Sequence, residues 1–96
     1  MIVGIPKEVK NHEYRVAITP DGVHELKAHG HEILVEQNAG LGSNIFDKDY
    51  ESAGARIIKS ANEVWKSSEL VLKVKEPIEI EYQNLQSGQV LLLIYT

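Results

Sequence analysis

The chain has 96 residues, of which 43% are apolar and 25% are charged, with a net charge of −4 and no cysteine. This length allows one small domain or a piece of a larger one, and it excludes a substantial enzyme with its own cofactor domain. The acidic balance and the scattered lysines and arginines exclude the electrostatic footprint of a nucleic-acid partner.

The first twenty residues contain two short apolar runs. Ile2–Ile5 is followed by a proline, and Arg15–Ile18 is closed by Thr19 and Pro20. Each run therefore predicts a buried strand that ends in a turn. The polar loop between the two runs is a place where ligands tend to bind.

A helix and a third strand are predicted next. Thr19 as N-cap, Pro20 at the first helical position and Gly30 just past the end predict a helix over residues 20–29. The run Glu32–Glu36 has an aliphatic centre that is typical of a strand buried on both faces.

A loop and a second helix follow that strand. The loop contains Asn38, Gly40 and Gly42. Asp47 is predicted to cap a helix that ends at Gly54, with Tyr50 and Ala53 facing inward.

The second half of the chain continues the alternation of strands and helices. Ser60 and Glu63 form a capping-box pattern, which predicts a helix that buries Val64 and Trp65. The other predicted elements are strands at Arg56–Ile58, Leu70–Val74 and Val90–Ile94, and a helix at Glu79–Gln86 with Ile78, Tyr82 and Leu85 available for packing. This alternation predicts the α/β class, with a parallel sheet that is covered by helices on both faces.

Three sequence blocks occur in order over residues 2 to about 91. They are GIPKE at 4–8 with Glu13 and the run Arg15–Pro20, NAGLGS at 38–43, and LKVKEP at 72–77. Together they resemble the N-terminal region of the alanine dehydrogenase and proton-translocating pyridine nucleotide transhydrogenase family. His12 stands where that pattern usually has asparagine. The blocks favour the alanine dehydrogenase branch.

The resemblance implies that residues 1–96 are a truncated, Rossmann-like or flavodoxin-like substrate domain of an NAD-dependent L-alanine dehydrogenase. Such an enzyme converts L-alanine, NAD and water to pyruvate, ammonium and NADH. The NAD-binding Rossmann domain and the catalytic His and Asp of the family are expected to lie beyond this chain. We therefore expect the 96 residues alone to bind no NAD and to be inactive. The alternatives are a segment of a transhydrogenase alpha subunit and a non-catalytic module that pairs with a full-length paralogue.

Two cations are the candidate substrate-binding residues. Lys75 follows the predicted strand Leu70–Val74 at its carboxyl end, where open parallel sheets bind ligands. Composition alone favours a solvated lysine, but the resemblance implies that Lys75 contacts the substrate; Lys73 keeps the solvated interpretation. Arg15 offers parallel donors to a carboxylate, so that Arg15 and Lys75 together would hold pyruvate or L-alanine.

Other features have simpler interpretations. The alternative for Arg15 is a salt bridge to Glu8 or Glu13. Gly40-Leu41-Gly42 predicts a tight turn, since Ile45 stands where a dinucleotide motif needs its third glycine. The histidines have no spacing for a metal site, and surface positions are expected for all of them, at residues 12, 24, 29 and 31.

Neither a signal peptide nor a membrane span is predicted, since the longest apolar run is Val90–Ile94. A cytoplasmic protein is therefore expected. The same run is predicted to be an exposed edge strand that promotes self-association or pairing with intact subunits. A frameshift near residue 92 is a hypothesis for the tail Leu92–Thr96, where the resemblance implies a Phe-Thr-Tyr-like run.

Overall fold

The computed structural model describes residues 1–9 and 12–94, and within them strands alternate with helices. The strands are β1 (Ile2–Ile5), β2 (Glu32–Glu36), β3 (Arg56–Ile58), β4 (Leu70–Lys73) and β5 (Val90–Leu93). The α-helices are α1 (Pro20–Ala28), α2 (Asp47–Ala53), α3 (Ala61–Ser67) and α4 (Glu79–Tyr82), and a 3-10 turn covers Leu41–Ser43.

All five strands form one parallel sheet in the order β3-β2-β1-β4-β5. In the central strand, Val3 lies opposite Ile33 on one side and Leu70 on the other. The crossovers run outward from β1 to β3 and then return to β4. Right-handed crossovers therefore place α1 and α2 on one face of the sheet and α3 on the other. The predicted α/β class is confirmed, and the order is that of a Rossmann-type sheet.

The core lies against the central strands. Val3 and Ile5 are at most 2% exposed, and they pack in one core cluster with Val23 of α1 and Tyr50 of α2. Tyr50 on α2 and Trp65 on α3 are fully buried, as their positions in the predicted helices indicate. The Tyr50 hydroxyl donates a hydrogen bond to the Ile18 carbonyl oxygen at 2.7 Å.

The prediction of a strand at Arg15–Ile18 is wrong. This run has no strand pairing, and its aliphatic side chains are only partly buried against the core. Both edges of β1 are already paired with β2 and β4, so the sheet has no position beside β1 for another strand. The run instead leads directly into α1, whose first turn is capped by the Thr19 hydroxyl.

Several predicted boundaries also change. Phe46, not Asp47, is the N-cap of α2. The Phe46 backbone N–H donates a hydrogen bond to the Asp49 carboxylate at 2.9 Å. The helix predicted to end at Gln86 stops at Tyr82. Tyr82, the last residue of this helix, and Leu85 beyond it are exposed instead of packed.

The edge strand β5 exposes apolar side chains. Val90 and Leu92 are 57% and 49% exposed, whereas Leu91 and Leu93 are half-buried. The predicted strands ending at Val74 and Ile94 each end one residue earlier. The last two residues of the tail discussed above, at positions 95 and 96, lie outside the described part of the chain.

Candidate functional site

The candidate site lies where the direction of the chain through the sheet reverses. β1 and β4 are neighbours, but α1 follows β1 on one face of the sheet and α3 leads into β4 from the other face, so this pair is the switch point beyond whose carboxyl ends ligands bind. The loop after β1 carries Glu8, Glu13 and Arg15, and Lys75 follows β4. Both predicted substrate-binding residues therefore emerge at the same edge of the sheet.

Arg15 and Lys75 meet at one carboxylate. The Arg15 Nε and Nη2 atoms donate hydrogen bonds to the two Glu13 oxygens at 3.0 and 3.1 Å. The Lys75 Nζ atom lies 3.9 Å from Glu13 Oε1. The structure thus brings the two cations together, and it also contains the Arg15–Glu13 salt bridge that was the simpler interpretation of Arg15.

The charges of this group are mutually stabilised. The hydrogen bond from Arg15 lowers the pKa of the Glu13 carboxyl below its ordinary value of 4.5, and Lys75 adds to this effect. The same hydrogen bond raises the pKa of Arg15. The Glu13 side chain is 3% exposed, whereas Arg15 and Lys75 remain 47% and 42% exposed. The cations therefore face solvent above a covered carboxylate, and they can meet an incoming anion.

The glycine-rich loop supports the segment that carries Arg15. A Cβ atom added to Gly42 would lie 2.6 Å from the Tyr14 carbonyl oxygen, so the two backbones touch at this point. The Ser43 hydroxyl donates a hydrogen bond to the same oxygen at 3.0 Å. Gly40-Leu41-Gly42 is thus a turn, as predicted, and it serves to hold Tyr14 and Arg15 in place.

Two cavities border Arg15. One, of about 300 Å³, lies between the loop after β1 and the glycine-rich loop and is lined by Glu13 and Gly42 among others. The other, of about 390 Å³, has mostly aliphatic walls that include Ile45 and Val74. Arg15 lines both cavities, so this residue lies between them.

Behind the site lies a buried ion-pair cluster that sequence reasoning missed. The Lys73 Nζ atom lies 3.1 Å from Glu8 Oε1 and 3.1 Å from Glu81 Oε2, and all three side chains are at most 6% exposed. The prediction that Lys73 is solvated is wrong, because the loop after β1 and α4 cover it. Glu8 belongs to the GIPKE block and Lys73 to the LKVKEP block, so these two blocks are in direct contact.

A further carboxylate lies at the same edge of the sheet. Glu36, the last residue of β2, accepts a hydrogen bond from the Lys7 backbone N–H at 2.8 Å. Burial raises the pKa of Glu36 above its ordinary value of 4.5, and the negative charge of Glu81 acts in the same direction. The fold therefore favours the protonated form of Glu36 more than the unfolded chain does.

The remaining candidates do not join this site. Three histidines are exposed, as predicted, but His31 is half-buried and its Nδ1 atom is buried without a partner in the described structure. Residues 1–9 and 12–94 contain no cluster of three or more His, Cys, Asp or Glu that could hold a metal.

A cavity of about 570 Å³ lies beside Trp65 and Ile80, away from Arg15 and Lys75. Over the described ranges, every helix is too short or too polar to cross a membrane.

Comparison with protein families gives one match over almost the whole chain. The model of the "Alanine dehydrogenase/PNT, N-terminal domain" matches residues 4–96. The chain is 57% identical over 91 residues to alanine dehydrogenase from Mycolicibacterium smegmatis, and 54% identical over 91 residues to that from Bacillus subtilis. Each alignment covers 95% of this chain and 24% of the relative. The chain thus spans about a quarter of the length of these relatives.

Solved structures give the same result for the fold. An L-alanine dehydrogenase superposes with a TM-score of 0.91 at 39% identity, covering 99% of this chain and 26% of that one. A transhydrogenase from Sinorhizobium meliloti superposes with a TM-score of 0.87 at 41% identity, covering 95% and 27% of the two chains.

Proposed function

Because this chain belongs to the alanine dehydrogenase/PNT N-terminal domain family, we propose that it supplies part of the substrate site of an NAD-dependent L-alanine dehydrogenase. The parent enzyme would oxidise L-alanine, with water, to pyruvate and ammonium while reducing NAD to NADH. Arg15 and Lys75 would bind the carboxylate and the neighbouring carbonyl or carboxylate oxygen of the substrate. We expect the parent to act in the cytoplasm.

The convergence of Arg15 and Lys75 on the Glu13 carboxylate is the observation that carries this proposal. Two half-exposed cations that share one carboxylate are suited to bind the carboxylate of a 2-oxo acid. A bound substrate would share these cations with Glu13 or displace it. The aliphatic cavity beside Arg15 has room for the methyl group of pyruvate.

NAD, the hydride acceptor, would be bound by another part of the parent enzyme. The glycine-rich turn of this chain contacts Tyr14 instead of presenting a phosphate-binding helix start, since only a 3-10 turn of three residues follows Gly40. We therefore propose that residues 1–96 are a substrate-domain segment, and that NAD binds a separate Rossmann domain with its own acid–base residues. On this proposal the 96-residue chain alone is inactive and binds no NAD.

The test is a transplant into an intact relative. The matching 91-residue segment of the Mycolicibacterium smegmatis enzyme is replaced by that of this chain, and kcat/KM is measured for pyruvate reduction. We expect the chimaera to remain active. Arg15→Ala or Lys75→Ala should then lower kcat/KM by about 30- to 1000-fold, because each removes a charge-assisted contact to the substrate.

The chain offers matched controls for both variants. Arg56 is an exposed arginine that is ion-paired with Glu32, and Lys59 follows the end of β3 as Lys75 follows that of β4. Arg56→Ala and Lys59→Ala should leave kcat/KM within about twofold. The site assignment is wrong if the Arg15 and Lys75 variants behave like these controls.

Two alternative functions, a transhydrogenase segment and a non-catalytic module, can each be distinguished from the proposed one by an observation. The superposition on a transhydrogenase supports a segment of a transhydrogenase alpha subunit, which downstream membrane-spanning sequence would identify. The exposed apolar side chains of β5 support a non-catalytic module that pairs with intact subunits. Co-purification with a full-length alanine dehydrogenase would favour this module over the enzyme segment.

A further inference from the structure

We propose that Glu8 is a positioning residue for Lys75, and that Lys73 holds Glu8 in the conformation this requires. The inference rests on the proposed function, since it concerns how the substrate-binding lysine is presented. It deepens that proposal by assigning a role to the buried cluster behind the site.

The Glu8 carboxylate binds the end of β4 at several points. Its Oε1 atom accepts hydrogen bonds from Lys73 Nζ at 3.1 Å and from the Lys75 backbone N–H at 3.3 Å. Its Oε2 atom accepts one from the Val74 backbone N–H at 3.0 Å. The contacts with Val74 and Lys75 are to the main chain, so they act on the backbone from which the Lys75 side chain extends.

A side chain is needed here because the sheet supplies no acceptor at this point. β1 pairs with β4 only as far as Gly4 and Val71, and β4 itself ends at Lys73. The next amides therefore lie beyond the ladder, and a buried amide without an acceptor is costly. The Glu8 carboxylate accepts the hydrogen bonds that a neighbouring strand would otherwise accept from these amides.

Lys73 makes the burial of this carboxylate possible. An unpaired carboxylate would be strongly unfavourable at 3% side-chain exposure, and the Lys73 ammonium compensates its charge. Lys73 is itself anchored by Glu81, whose other oxygen accepts a hydrogen bond from the Ile78 backbone N–H at 3.1 Å. The cluster thus ties the loop after β1, the end of β4 and the start of α4 together.

The consequence for the site is geometric. Lys75 and Arg15 approach Glu13 from two segments that are distant in sequence, and Lys75 Nζ is the more distant of the two cations, at 3.9 Å. A shift of the backbone at Lys75 would move its ammonium out of reach of an anion that Arg15 holds. Glu8 prevents such a shift, and it does so without touching the substrate.

The test compares two variants of the 96-residue chain that disturb the same lysine. Glu8→Gln and Glu81→Gln each remove one carboxylate from Lys73, but only Glu8 contacts the backbone of Lys75. Glutamine has a single acceptor oxygen, so it cannot serve Lys73 and both amides. We expect amide hydrogen exchange at Lys75, followed by NMR, to accelerate at least about tenfold in Glu8→Gln and less than about threefold in Glu81→Gln. Equal exchange in the two variants would overturn the proposal.

Pyruvate binding provides the second readout, as a double-mutant cycle monitored by NMR titration. Glu8→Gln should raise the Kd for pyruvate about tenfold when Lys75 is present and less than about twofold in the Lys75→Ala background. Additive effects would show that Glu8 does not act through Lys75 and would overturn the proposal. If the unmodified chain binds no pyruvate, the same cycle is carried out in the chimaera, where a second failure to bind would contradict the proposed function, and the exchange rates then decide the role of Glu8.

Glu8→Asp is the control for loss of folding, because it retains the buried negative charge beside Lys73. Glu8→Asp keeps a carboxylate for Lys73 but is one methylene shorter, so it cannot reach Lys73 and both amides at once. Lys75 exchange should be faster in this variant too, by about threefold or more. An exchange rate equal to that of the unmodified chain would count against the positioning role.

Discussion

Gly42→Ala is expected to impair substrate binding through a steric effect alone. Gly42 lies in the glycine-rich loop, where its backbone touches that of Tyr14. An added Cβ would lie 2.6 Å from the Tyr14 carbonyl oxygen and 3.0 Å from its Cα atom. These are backbone atoms, so no side-chain rotation can relieve the contact.

The size of the effect follows from the distance. Ordinary contact begins near 3.4 Å, so the two backbones must separate by about 0.8 Å. Overpacking of this kind costs about 1 to 3 kcal/mol. The lower part of that range applies, because Tyr14 is 64% exposed and its loop can yield. Arg15 directly follows Tyr14, and a misplacement approaching 1 Å can lower kcat/KM by about 10- to 100-fold.

The assay pairs Gly42→Ala with Gly88→Ala. Gly88 has a φ of +79° and no atom within 4 Å of an added Cβ, so alanine there is strained but meets nothing. This strain costs about 1 to 2 kcal/mol, which is similar to the loss expected for Gly42→Ala. Thermal melts of the 96-residue chain and kcat/KM in the chimaera are measured for both variants.

The two variants should lose similar stability, and only Gly42→Ala should lose activity. Equal activity of the two would refute the reasoning, since the loop would then have no part in placing Arg15. A stability loss below about 0.5 kcal/mol for Gly42→Ala, with normal activity, would show that the close approach to Tyr14 is easily relieved.

Two further predictions concern buried groups. Tyr50→Phe removes the hydrogen bond to the Ile18 carbonyl oxygen and should cost about 1 to 2 kcal/mol in urea unfolding. Burial raises the pKa of Tyr50 to about 12 from 10.0. The stability that this group contributes should therefore be lost from pH 10 towards 12, and melts of Tyr50→Phe should lack this loss. Burial also raises the pKa of Glu36 above its ordinary value of 4.5. The stability that the protonated carboxyl contributes is therefore present below pH 4.5 and is lost as the pH rises. Glu36→Gln should stabilise the chain at pH 7 but not at pH 4, and an equal effect at both would count against buried charge as the cause.

The parts of the fold that depend on local pattern were predictable. Thr19 and Ser60 cap α1 and α3 as their spacing indicates, and the aliphatic centre of Glu32–Glu36 forms a buried strand. Arg15–Ile18 has the same local character as a strand but does not form one. The reason is global, since β2 and β4 occupy both sides of β1.

The sequence predicted the candidate residues of the proposed site but not their arrangement. Arg15 and Lys75 were recognised from sequence blocks, but their shared contact with Glu13 depends on two loops that meet across the sheet edge. The burial of Lys73 could not be inferred from its neighbours, because its partners Glu8 and Glu81 come from other elements. Charged residues without a local pairing pattern are predicted by default to be solvated.

The central position of β1 has a consequence for the growing polypeptide. Residues 2–5 are synthesised well before their second neighbour, β4, which begins only at Leu70. At about 5 to 20 residues per second, ribosomes need roughly 3 to 13 s to add the intervening residues. During that time one hydrogen-bonding edge of Ile2–Ile5 remains open. A nascent chain with this strand order therefore exposes an apolar segment for several seconds before its second neighbour exists, and that segment is open to non-native pairing during this time.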